Sequence, residues 1–284
     1  MSEHKSTKVA LITGAGAGIG LQLTRRLLGE GWEVAALIRS VFSEEDSMIR
    51  EAISKGQLRV YKAELTDFSQ LRRVLNEVNG KEDHIDVLFN NAGGSLPELR
   101  FSPQGREMHY ELQTVVPYIV FMELKDLLQK GALKTVVNTS SAALRHVKRF
   151  NPDELPRPAG FKKLTGPYAT TKLALSLWTR ELAAPMAAEG FRLISADPGS
   201  NNTLRPTKKS GLPPAVKLLM RLFFSHPSQG ANLLWDAAFK RTGYPSGSFV
   251  LKGRAADLPY AETGSKILSM MQRIYEQEFN AGWY

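Results

Sequence analysis

Tyr168-Ala169-Thr170-Thr171-Lys172 sets a phenol and an ammonium four residues apart. On a helix that spacing puts both side chains on one face, one turn apart. A phenol with an ordinary pKa of about 10 is a poor proton carrier at neutral pH, and a nearby cation favours its ionised form. Such a pair is suited to moving a proton to or from an oxygen atom. By itself the spacing is common on solvated helix faces, so its meaning depends on its surroundings.

A second feature lies near the amino terminus. The apolar run Lys8–Thr13 leads into Gly14-Ala15-Gly16-Ala17-Gly18-Ile19-Gly20, after which a helical pattern begins. Glycines there let the backbone turn sharply and approach a pyrophosphate with no Cβ in the way. The helix that follows aims its free N–H groups and positive dipole end at the phosphates. The position of Gly14, Gly18, Ile19 and Gly20 between a strand and a helix is the context a dinucleotide site requires.

Arg39 ends the next apolar run, 19 residues after Gly20, and no acid follows until Glu44. A site selective for NAD carries Asp or Glu near this distance to bind the ribose 2′-hydroxyl. A guanidinium fork instead suits a 2′-phosphate, so NADP is expected and NAD is the less favoured cofactor.

These residues need a scaffold. Lys8–Thr13, Glu33–Ile38, Leu58–Ala63, Val87–Asn90, Thr135–Thr139 and Arg192–Ala196 read as strands. Ile19–Leu28, Asp67–Val78, Gly105–Lys130 and Ala169–Ala188 read as helices between them. The alternation predicts an α/β fold, a doubly wound parallel sheet (Rossmann fold), as a single domain over residues 1–284. Segments 142–167 and 200–214 are irregular, long loops in a compact domain usually carry function, and substrate-loop segments are expected over about residues 142–167 and 200–228. A helical tail is expected over about residues 264–284.

The composition excludes other classes. With 284 residues, 43% hydrophobic and 23% charged, the chain is not disordered or fibrous. It contains no cysteine, which excludes disulfides, thiolate metal sites and a thiol nucleophile. The longest apolar run, Val115–Met122, is too short to span a membrane, and no signal-peptide pattern opens the chain. A cytoplasmic location is expected. The net charge of +9 comes with no zinc-finger, basic-zipper or RNA-binding signature, so nucleic acid is not an expected partner. No acid occurs between Pro198 and Trp235, and Arg145, Lys148 and Arg149 form a further basic group. His109, His146 and His226 lack metal-ligand spacing and read as structural or surface histidines; no metal site is expected.

Thr13-Gly14-x-x-x-Gly18-x-Gly20, Asn90-Asn91-Ala92-Gly93, Asn138-Thr139-Ser140-Ser141, Tyr168-x-x-x-Lys172 and Pro198-Gly199 occur in that order. Together they resemble the short-chain dehydrogenase/reductase family over about residues 8–250. The segment Tyr168–Leu182 is similar to its retinol-dehydrogenase and carbonyl-reductase-like branch. The resemblance implies an NADP-dependent oxidoreductase that interconverts a carbonyl and an alcohol by hydride transfer. It implies Tyr168 as general acid or base, and Lys172 as the cation that lowers its pKa and holds the nicotinamide ribose. Ser141 is implied as the hydroxyl that hydrogen-bonds the substrate oxygen, with Ser140 as the alternative. Asn91, Ala92 and Gly93 match the turn beside the adenine ribose, and Glu64 and Leu65 the Asp-Leu position near the adenine. Pro198, Gly199 and Thr203 match the segment contacting the carboxamide.

Two departures stand out. Many relatives carry Asn in the long helix as part of a proton relay, and here that position is Gln113. The 27 residues from Ser141 to Tyr168 also exceed the usual family gap, which suggests a loop over the site mouth. Loops after the fourth, fifth and sixth strands, about residues 94–101, 142–167 and 200–225, are expected to shape the substrate pocket. Ala215–Phe224 reads as an amphipathic stretch, fitting a lid over a lipophilic or aromatic carbonyl compound, peripheral contact with a membrane, or a helix packed on its own core. Two rival functions stay open: a non-catalytic NAD(P)-binding regulatory protein and an NAD-linked alcohol dehydrogenase. Homo-oligomers are common in the family, and the tail could build or block such a contact.

Overall fold

The computed structural model describes residues 7–202, 224–240 and 243–283. Its strands are β1 (Val9–Thr13), β2 (Glu33–Ile38), β3 (Leu58–Lys62), β4 (Val87–Asn90), β5 (Thr135–Thr139), β6 (Arg192–Ala196), β7 (Phe249–Leu251) and β8 (Arg254–Ala256). They form one sheet in the order β3-β2-β1-β4-β5-β6-β7-β8, parallel except for the antiparallel pair β7–β8. The helices named here are α1 (Gly18–Gly29), α2 (Ser47–Ser54), α3 (Phe68–Lys81), α4 (Met108–Tyr110), α5 (Val116–Glu123), α6 (Lys125–Lys130) and α7 (Pro167–Ala188). Helices Pro227–Phe239 and Gly264–Ile274 follow.

Central strands are buried along their whole length because helices cover both faces of the sheet. β1 and β5 are buried at every residue. Alternate residues feed opposite cores: Leu11 joins the cluster with α3, α5, α7 and the carboxyl-terminal helix, whereas Ala10 and Ile12 join that with α1 and Pro227–Phe239. Ile267, Met271 and Phe279 also lie in the first core, so the tail is packed onto the sheet domain. Tail contacts include a Phe68–Phe279 ring pair and an ion pair from Arg106 to Glu278.

The register aligns the strand ends that carry the site. Thr13 lies opposite Leu37 and Asn90, Asn90 opposite Asn138, and Thr139 opposite Ala196. A buried chain of amides fixes this edge: Asn90 Nδ2 donates to Asn138 Oδ1 at 2.9 Å, and Asn138 Nδ2 to Thr179 Oγ1 on α7 at 2.8 Å.

The helix expected over Gly105–Lys130 is divided. It starts at Met108, where the Glu107 side chain accepts from the Tyr110 N–H, and passes through a π-helical turn at Glu111–Val115. It breaks again at Leu124, between α5 and α6. Segment 142–167 is not wholly irregular, containing 3₁₀ turns at Ala142–His146 and Pro152–Glu154. The tail continues past Ile274 as a π turn, Tyr275–Phe279, and a 3₁₀ turn, Asn280–Trp283. Thr203 and most of the Ala215–Phe224 stretch lie outside the described residues.

Candidate active site

The loop between β1 and α1 is built as the glycines require. Gly14 and Gly18 have φ of 71° and 56°, in the left-handed region. A Cβ on Gly20 would lie 2.2 Å from the Gly14 carbonyl oxygen. Ala17 at the N-cap of α1 offers no side-chain acceptor, and no acid sits in the first turn. The N–H groups at that end of α1 are therefore presented to an incoming anion. Thr13 Oγ1 accepts from both the Asn91 and Ala92 N–H groups at 3.0 Å, which docks the Asn91–Gly93 turn beside the glycine loop. The cradle fits a dinucleotide pyrophosphate, and nearby Gln113 Oε1 and Thr139 Oγ1 are buried without hydrogen-bond partners.

At the ends of β2 and β3, Arg39 Nη1 donates to Glu64 Oε2 at 3.2 Å, with 62% and 35% of the two side chains exposed. The acid missing after β2 in the sequence is thus supplied by the neighbouring strand end. An ion pair this exposed contributes little, roughly 0–1 kcal/mol, and is easily exchanged for another anion. Leu65 is buried in the core beside it.

Tyr168 stands in the first turn of α7, half-buried, and Lys172 follows one turn later, 4% exposed. Lys172 Nζ donates to the Thr139 carbonyl at 2.6 Å. Burial pulls the ammonium down to about 7, opposed by the Asp197 carboxylate. The phenol of Tyr168 moves upward because burial disfavours its ionised form; a hydrogen bond with Ser141 opposes the rise, and the negative charge of Asp197 adds to it. The ammonium is turned to the Thr139 carbonyl, and desolvation dominates both groups.

The two serines are clearly divided. The Ser141 hydroxyl faces Tyr168, whereas Ser140 is 2% exposed and turned into α7, its Oγ 2.7 Å from Ser176 Oγ. Gln113, within the π turn, donates from Nε2 to the Gly94 carbonyl at 3.1 Å. A Cβ on Gly93 would lie 2.8 Å from Gln113 Oε1, so this amide fills the space under the Asn91–Gly93 turn.

Two residues that the sequence reading did not assign to the site complete the surroundings. Asp197, 5% exposed, accepts from the Ala142 N–H at 3.1 Å and from the Gly199 N–H. It joins the Ser141 turn to the Pro198-Gly199 turn, and burial raises its carboxyl pKa. Its place directly before Pro198-Gly199 was the available signal. His109, read as structural or surface, is 1% exposed, and its ring centroid lies 5.9 Å from that of Tyr168 in an edge-on arrangement. Among the described residues no three His, Asp or Glu side chains gather as a metal site, and no helix is long and apolar enough to cross a membrane.

Comparison with known proteins agrees with this geometry. The sequence profile of the short chain dehydrogenase family matches residues 8–151. The chain is 31% identical over 230 residues to retinol dehydrogenase 12 of Mus musculus, covering 79% of this chain and 71% of that protein. It is 29% identical over 243 residues to polyprenol dehydrogenase of Homo sapiens, covering 79% and 70%. An uncharacterized protein from Mycobacterium Paratuberculosis shares the fold at a TM-score of 0.68 and 24% identity, covering 96% of this chain and 94% of that one. The chain is a member of the short-chain dehydrogenase/reductase family, in its retinol-dehydrogenase-like branch, and an NAD(P)-dependent oxidoreductase.

Proposed function

We propose that this protein reduces aldehydes or ketones, and oxidises the corresponding alcohols, with NADP(H) as the preferred cofactor and Tyr168 as the acid or base. The observation that carries the reading is the Ser141–Tyr168 hydroxyl pair, one helical turn from Lys172 and on the same edge of the sheet as the open amino end of α1. When bound, the dinucleotide supplies or accepts the hydride. Ser141 Oγ donates a hydrogen bond to the substrate oxygen and orients it. Tyr168, kept protonated at neutral pH by burial, passes its proton to that oxygen as negative charge develops there. Lys172 holds the nicotinamide ribose from the next turn. Pro198 and Gly199, braced by Asp197, face the carboxamide. Around the dinucleotide's other half, Arg39 is the group that binds a 2′-phosphate, leaving Glu64 to do so; Asn91, Ala92 and Gly93 flank the adenine ribose and Leu65 the adenine.

The substrate is a lipophilic or aromatic carbonyl compound. Supporting this are relatives named for retinol and polyprenol, and the partly exposed Phe161 ring, which stacks on His109 next to Tyr168. The absence of cysteine supports a cytoplasmic setting. NADPH oxidation with benzaldehyde, decanal, retinal and acetophenone tests the reading. Turnover of at least one, faster with NADPH than NADH, is expected; tight dinucleotide binding with no turnover of any carbonyl overturns it in favour of a regulatory protein.

A further inference from the structure

His109 is bonded through both ring nitrogens. Nδ1 lies 2.6 Å from Glu107 Oε1, and Nε2 lies 2.9 Å from the Leu96 backbone nitrogen. A backbone N–H only donates, so Nε2 carries no proton, and the proton on Nδ1 is given to the carboxylate. Glu107, fully buried, uses its other oxygen to accept from the Tyr110 N–H at 2.9 Å, and its own N–H donates to the Pro156 carbonyl at 2.8 Å. The imidazole ring stacks on Phe161 at 6.2 Å and meets the edge of Tyr168 at 5.9 Å. One buried side chain therefore touches the loop after β4, the long segment before α7, and the phenol itself.

Its place on the helix sharpens the point. His109 and Gln113 are four residues apart and hold neighbouring parts of one loop: Gln113 binds the Gly94 carbonyl and His109 the Leu96 N–H. Further along, the loop is tied by Met108 N–H to the Arg100 carbonyl. A buried imidazole–carboxylate pair is a poor way to fill space, since polar groups there must be fully satisfied to be tolerated. Here both are satisfied, and the pattern fits a device for holding geometry.

Resting on the carbonyl-reductase reading above, we infer that His109, oriented by Glu107, is a positioning residue that fixes the Gly94–Leu96 wall of the substrate pocket relative to Tyr168. It acts on the substrate side and leaves the dinucleotide cradle alone.

His109→Phe keeps the ring and removes both hydrogen bonds, whereas His109→Gln can restore an acceptor for the Leu96 N–H. With decanal and benzaldehyde, His109→Phe is expected to raise KM about tenfold, the scale of one lost hydrogen bond, with the NADPH dissociation constant within about twofold of wild type. His109→Gln recovers most of that loss. Backbone hydrogen exchange over residues 94–101 should quicken in the Phe variant and return toward wild type in the Gln variant. Should the Phe variant not fold, His109→Asn, too short to reach Leu96, takes its place. Equal losses in substrate KM and NADPH binding, a Gln variant no better than Phe, or unchanged exchange over 94–101 overturns the inference. Exchange needs no turnover, so an inactive wild-type protein sinks the functional reading alone and the positioning role is still decided.

Discussion

Lys172 Nζ donates to the Thr139 carbonyl oxygen at 2.6 Å, joining α7 to the end of β5 just before the Ser140-Ser141 pair. The ammonium is thereby held beneath the strand end that presents Ser141, with its charge in a desolvated place. That arrangement has a consequence for stability as well as for chemistry.

In the dinucleotide-free protein the Lys172 value of about 7 lies below its ordinary 10.5. Across that window the unfolded chain binds one proton more than the folded chain, so this residue makes stability rise with pH. The gain is complete above the unfolded value and is lost as pH falls through the folded one. Urea unfolding of wild type and Lys172→Met at pH 7 and pH 9.5 checks this. Wild type should gain on the variant at the higher pH; parallel behaviour contradicts the assigned environment.

Arg39 and Glu64 make a prediction of opposite signs. Arg39→Ala should weaken NADPH binding about tenfold or more and leave NADH nearly unchanged, because a charge-assisted fork to the phosphate is lost. Glu64→Gln removes the anion that competes for the guanidinium and should tighten NADPH binding by about two- to fivefold, the scale of an exposed ion pair. Fluorescence titration with both dinucleotides measures each effect. Equal changes for NADPH and NADH would remove Arg39 from cofactor selection.

Asp197 acts on the reacting hydroxyl through charge and through the backbone. Its negative charge helps to raise the Tyr168 pKa, so Asp197→Asn should shift the rising limb of the alcohol-oxidation profile to lower pH. The new amide also sets a donor against the Ala142 or Gly199 N–H, and kcat should fall about tenfold. A pH–rate profile of the oxidation distinguishes these effects from simple unfolding, which would lower the rate at every pH without moving the limb.

Six of the seven parallel strands and the glycine turn were legible because buried strands and phosphate turns are written in local runs of residues. β7 and β8 were not, being three-residue strands with no period to detect. The long helix after β4 looked continuous because Val115–Met122 is apolar on every side, which hides the π turn containing Gln113. Tyr168 and Lys172 were visible as types at a spacing, and Ser141 through the family motif. The direction of the Tyr168 pKa was not, since burial is a property of the folded state. Glu64 beside Arg39, and His109 beside Tyr168, are likewise tertiary pairings: 25 residues separate the first pair, and no motif marks either.

The most direct measurement is NADPH-dependent carbonyl reduction by Tyr168→Phe, which deletes one oxygen and keeps the ring against His109. The rate of hydride transfer in single turnover should fall by about 10²–10⁴, the usual contribution of a positioned acid, while NADPH binds as in wild type. A variant that reduces the same substrate at the wild-type rate contradicts the assignment of the phenol as the proton donor.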